Sequence, residues 1–200
     1  MFSLENYTKI NSSFFQRNTL DVCKDFIGSI IKFNTDKGKI IAKITEIEAY
    51  LGVNDKGSHT YNNRRTARTE PMFLDGGHLY VYFIYGMYYN LNFVTSVKNN
   101  PTGILLREIE ILKGHNIASL NKYKKPFNEL SKAQIKNLSN GPGKICQVLN
   151  IDRTYSGKHF SEVFEIYRPN TNKDYKTTAR IGIVYAEEDA LLPYRFLLNK

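Results

Sequence analysis

The segment Glu46-Ile47-Glu48-Ala49-Tyr50 sets two carboxylates and a phenol at alternate positions. In an extended strand residues two apart share a face, so Glu46, Glu48 and Tyr50 point one way and Ile47 and Ala49 the other. On pattern alone this is a solvated strand face with Ile47 towards the core. Covered by an aromatic ring, one of these carboxylates would be desolvated and suited to act as a general base on water. His59 follows in a loop with Tyr61, Arg64, Arg65 and Arg68. Arginine pairs bidentately with phosphate, so such a loop can track a nucleic-acid backbone; a solvated basic loop is the plain alternative. Metal chelation finds no ligand spacing among His59, His78, His115 and His159, and Cys23 and Cys146 are too far apart for a thiolate site.

Five of the 14 tyrosines fall within Leu79–Tyr89. As a strand, this stretch puts Tyr80 and Tyr82 on one face and Val81 and Phe83 on the other. A tyrosine-rich core strand with a wet edge explains the pattern, and so does a surface for stacking bases. Gly86 permits a tight bend, which leaves Tyr85 free to project and wedge into a base stack. Gly141-Pro142-Gly143-Lys144 lacks the Walker spacing, yet it can offer backbone N–H groups and a Lys to a phosphate at a helix start.

The elements that must position these groups follow from periodicity and breakers. Thr19–Ile27 reads as an amphipathic helix capped by Thr19 and ended by Gly28. Ser29–Phe33 and Lys39–Ala49 read as strands joined through Asn34, Asp36 and Gly38. Val53–Gly77 is irregular and too long for an idle connection. His78–Phe83, Leu91–Val97, Thr102–Ile109 and Arg180–Tyr185 read as strands. Glu110–Leu138 is helical in composition with a break near Pro126, and Pro142 opens a helix through Leu149. Strands and helices come in groups, which predicts an α+β fold. We expect a single compact domain over 1–200, with a mainly antiparallel, curved sheet flanked by helices.

Composition narrows the function classes. Lys plus Arg is 28 against 19 for Asp plus Glu, a net +9, which attracts polyanions and nucleic acid first among them. No apolar run reaches the length of a membrane span, and the first residues do not read as a secretory signal. We expect a cytoplasmic protein with no membrane partner.

Taken in order, EIEAYLG at 46–52, His59, RRTAR at 64–68, MF at 72–73, LYVYFIYGMYYNLN at 79–92, ILLRE at 104–108 and NGPGKICQVLNI at 140–151 resemble the alkyladenine (3-methylpurine) DNA glycosylase family. The resemblance implies a monofunctional, monomeric enzyme of base excision repair, associated with the nucleoid through DNA. Such an enzyme flips a damaged purine out of duplex DNA and hydrolyses its N-glycosidic bond without cofactor or metal. By the same resemblance Glu48 is the general base, Tyr50, His59 and Tyr82 sandwich the base, and Tyr85 intercalates. Asn92 and Ile183 belong to the pocket, while Arg64, Arg107, Lys144 and Arg180 contact DNA or water. Asn90 stands where a small residue such as Cys is common. Two other readings are a catalytically inactive module that binds damaged DNA, and a nuclease with Glu46 and Glu48 as metal ligands.

Overall fold

The computed structural model describes residues 3–171 and 173–199. In chain order the strands are β1 (Tyr7–Lys9), β2 (Ile30–Thr35), β3 (Gly38–Tyr50), β4 (Leu79–Ile84), β5 (Tyr88–Thr95), β6 (Thr102–Lys113), β7 (Phe164–Pro169), β8 (Tyr175–Thr178) and β9 (Arg195–Leu198). The α-helices are α1 (Thr19–Phe26), α2 (His115–Tyr123), α3 (Lys132–Lys136) and α4 (Pro142–Leu149). All strand pairings are antiparallel, in the order β1-β7-β2-β3-β6-β5-β4. Strand β9 joins the second half of β3 and carries β8. The fold is α+β, as the grouping of elements predicts.

Strand β3 is the spine, and its alternation changes phase midway. Ile40, Ala42 and Ile44 enter the core, and then so do Ile47 and Ala49. Even positions give way to odd ones because the pairing with β6 slips between Ile44 and Glu46, which leaves Thr45 as an extra residue. Strand β6 makes the reciprocal slip: Glu46 pairs with Glu108 and Ile47 with Leu106, which leaves Arg107 unpaired. Its core residues change phase in step, from Ile104 and Leu106 to Ile109 and Ile111. Each bulge re-aims the side chains that follow it, and bulges of this kind cluster beside active sites.

The core face of this part of the sheet lies against α1 and α4, which pack on β3, β5 and β6. The core there is aromatic. Phe93 stacks on Phe15 at 5.4 Å between centroids with the rings 4° from parallel, and meets Phe26 edge-on at 5.2 Å. Cys23 and Cys146 are buried free thiols within this core.

Several expectations need correction. The cap of α1 is Asn18, whose side chain accepts from the Leu20 and Asp21 N–H groups at 3.0 and 3.4 Å. Thr19 is buried instead, with its hydroxyl 2.8 Å from that of Thr95. Glu110–Lys113 continues β6, so only the later part of Glu110–Leu138 is helical. Arg180–Tyr185 is not a strand: the chain turns at Gly182 (φ 79°) and enters a 3-10 segment, Val184–Leu191. Its apolar residues Ile181, Val184 and Tyr185 are exposed, so the run that looked like a strand serves a surface. Strands β1, β7, β8 and β9 were not expected. They are short, polar or charged at alternate positions, and they exist through long-range pairing.

Phe93 joins three aromatic neighbours at zero exposure. Phe93→Ala should therefore destabilise the fold by about 3–5 kcal/mol, read as a lower urea midpoint at unchanged slope.

Candidate active site

The face of the sheet opposite the core carries the candidate groups. Registered pairs run Tyr80–Asn92, Asn92–Leu105 and Leu105–Glu48, so one row crosses β4, β5, β6 and β3. The next row holds Tyr82 opposite Asn90. Tyr50 lies opposite Gly103, whose lack of a side chain leaves room for Met72. With the Gly57–His59 loop, the Gly141–Lys144 start of α4 and the 181–185 turn, these residues enclose a cavity of about 570 Å³.

Glu48 lies behind this cavity wall with zero exposure. Its Oε1 accepts the Ile181 N–H at 2.7 Å. Its Oε2 accepts the Tyr50 hydroxyl at 2.9 Å and an Arg107 Nη at 3.2 Å. The carboxylate face is thus not solvated as the pattern alone suggested, because the C-terminal segment and Arg107 cover it. Arg107, aimed by its own bulge, also donates from Nε to Glu46 at 2.8 Å, and Arg195 of β9 donates to the same Glu46 oxygen at 2.7 Å. Burial acts to raise the Glu46 pKa, but the hydrogen bonds from Arg195 and Arg107 outweigh it and hold the carboxyl below its usual range. Burial, and then the Glu48 charge, push the Tyr50 phenol well above its ordinary pKa, so it remains a donor.

Tyr50, His59, Tyr80 and Tyr82 form the aromatic lining of the cavity. The His59 ring meets Tyr82 edge-on at 4.6 Å, and its Nδ1 lies 2.9 Å from the Tyr80 hydroxyl. Burial first, and then the Arg68 and Arg64 charges, lower the His59 pKa to about 4, so the ring is neutral at physiological pH. Asn92 donates to the Tyr80 carbonyl at 3.0 Å, and Asn90 donates to the Tyr82 hydroxyl at 3.1 Å. Asn90 therefore sets the tilt of a wall. Asn92, Ile183 and Lys144 all line the cavity. Lys144 is held by the side chains of Asn137 and Asn140 at 2.8 and 2.7 Å.

Tyr85 occupies the tip of the β4–β5 hairpin and is 80% exposed. Positive φ at both Tyr85 (54°) and Gly86 (67°) is the pattern of a type I′ turn, and it is uncommon for a tyrosine. The local strain is retained in a residue that buries almost nothing.

Arg64 is exposed at the surface, outside the cavity wall. One sequence-predicted contact falls elsewhere. Arg180 does not reach the surface: its side chain has zero exposure and is paired with Asp55. Tyr80, Asp55 and Ile181 were missed as site residues. Period two from Tyr82 would have found Tyr80, whereas Asp55 and Ile181 carry no local signal because their partners lie over a hundred residues away. Among the described residues no cluster of three or more His, Cys, Asp or Glu could hold a metal ion, and Glu46 and Glu48 are both engaged by arginine.

Comparison with known proteins shows the family. A family model described as methylpurine-DNA glycosylase matches residues 13–200. A protein of Clostridioides difficile strain 630 is 41% identical over 95% of this chain and all of its own length. One from Clostridium novyi strain NT is 42% identical over 96% of this chain and 95% of its own. A third, from Desulfitobacterium hafniense strain Y51, is 36% identical over 96% and 95%. All three are named as 3-methyladenine DNA glycosylases.

His59 should stay neutral in an NMR titration until the pH falls towards 4. The unfolded chain takes up that proton near 6.5, so His59's contribution to stability is intact above 6.5 and is lost as pH falls from there to about 4. A His59 midpoint near 6.5 in the folded protein would contradict this environment.

Proposed function

The chain belongs to the methylpurine-DNA glycosylase family, and we propose that it excises damaged purines through a water activated by Glu48. The supporting observation is the setting of Glu48: buried, held by three protein donors, and placed behind an aromatic-lined cavity with room for a purine. A carboxylate accepts about four hydrogen bonds, so these three leave capacity for one water.

The steps follow from the residues. Extruding a base costs a few kcal/mol, and Tyr85, projecting from its strained turn, offsets this by filling the gap in the stack. The base enters between Tyr50 and the His59–Tyr82 wall, where an alkylated, cationic purine gains cation–π attraction. The N-glycosidic bond breaks with its electron pair passing to the purine. The water oxygen bonds to C1′ and its proton goes to Glu48, leaving an abasic site. The Glu48 charge stabilises the oxocarbenium-like sugar during this step. A neutral His59 adds no positive charge against a cationic base. Asn92, fixed by the Tyr80 carbonyl, stands where it can disfavour the exocyclic amine of guanine. Exposed Arg64 and the restrained Lys144 offer charge to flanking phosphates. We place this activity on duplex DNA in the cytoplasm, carried out by a monomer.

Single-turnover base release from a duplex bearing hypoxanthine or ethenoadenine, in EDTA, tests the reading. Glu48→Gln should slow release at least about 100-fold while binding persists. Equal rates would remove Glu48 from the chemistry, and binding without release by the wild type would favour a binding module. Tyr85→Ala should weaken binding to the same duplex by about 1–3 kcal/mol, measured by fluorescence anisotropy, with the fold unchanged.

A further inference from the structure

Arg180 and Asp55 form the most enclosed ion pair among the described residues, with side-chain exposures of 0% and 3%. The contact is two-pronged, at 2.6 and 2.7 Å. Each partner also grips backbone. Arg180 donates to the Ala49 carbonyl at 3.0 Å and the Asp189 carbonyl at 3.2 Å. Asp55 accepts the Leu51 N–H at 2.8 Å and the Gly57 N–H at 2.9 Å. The guanidinium also lies between two rings, 4.7 Å from the Tyr50 centroid and 5.3 Å from that of Tyr194. Gly57 passes so close that a Cβ there would sit 3.0 Å from both Arg180 and Ile183.

The pair therefore ties together the end of β3, the loop that leads to His59, and the C-terminal turn. The next residue after Arg180 is Ile181, whose N–H holds Glu48. Stability alone is a weak reason for such a pair, since a buried ion pair can often be replaced by apolar residues without loss. The Arg180 Nε, buried and without a partner, adds to that cost.

We propose that the Asp55–Arg180 pair is the positioning unit of the site: it sets the Ile181 N–H against Glu48 and the Tyr50 ring against the cavity. It controls the rate of base release and not affinity for the duplex. This rests on Glu48 acting as the base. Neither residue touches the base or the water; both act through Ile181 and Tyr50.

Asp55→Asn keeps the shape and removes the charge. Arg180→Lys keeps the charge and loses the two-pronged grip and the stacking on Tyr50. For each, base release from the hypoxanthine duplex is measured in single turnover, beside affinity for an abasic-site duplex and the melting temperature. Misplacement of a reacting group by about 1 Å can cost about 100-fold. We therefore expect both variants to release base about 10–100-fold more slowly, with affinity within about threefold of wild type. A purely structural role would lower rate, affinity and melting temperature together. Wild-type rates in the variants, or rate and affinity falling together, would overturn the proposal. Failure of both variants to fold would assign the pair to stability alone and overturn it too. A wild type that released no base would instead overturn the proposed function.

Discussion

An ionised carboxylate removed from water must be met by donors, because its desolvation is costly unless hydrogen bonds and countercharge replace the solvent. Glu48 is such a group, and much of the molecule is arranged to meet it. The phenol two residues along the same strand supplies one donor, a bulged arginine on the neighbouring strand a second, and a backbone amide near the C-terminus the third. No short segment could supply all three. The carboxylate face is assembled only when β3, β6 and the C-terminal turn are in register, so fold and candidate site form together.

The reciprocal bulges at Thr45 and Arg107 reconcile two demands on the same strands. A regular β3 that buried Ile40, Ala42 and Ile44 would also bury Glu46 and Glu48 in the apolar core. One extra residue switches the phase, so Ile47 and Ala49 continue the core while both glutamates turn to the face where arginines wait. The matching slip on β6 does the same for Leu106 and Ile109, and it aims Arg107 between the two carboxylates. Glu46 then serves as an anchor, held by Arg107 and Arg195, so the guanidinium that faces Glu48 is itself fixed. Rigidity around Glu48 contrasts with exposure at Tyr85, which sits on a hairpin tip and packs against little.

Much of this was legible without coordinates. The Glu46–Tyr50 alternation, the tyrosine-rich β4 with its Gly86 turn, and the Pro142 helix start are local patterns whose periods fix facing and boundaries. The ordered blocks that resemble a glycosylase family led to the family that the comparisons show. What failed had a common cause. The apolar run at Arg180–Tyr185 has strand composition, but its residues line the cavity rim and a turn, and composition does not say which surface a side chain will meet. Resemblance alone assigns Arg180 to DNA or water; its anion here is Asp55.

The sequence by itself determined which residue types could do chemistry, which of them share a strand face, and where the chain must turn, because these depend on neighbours a few positions away. Tertiary structure alone decided that the carboxylate face is dry, that Ile181 and Arg107 hold Glu48, and that Asp55 claims Arg180. Those facts depend on contacts between residues 59 to 133 positions apart. Burial and pairing at that range belong to the packed chain, where desolvation sets the strength of every charge and hydrogen bond.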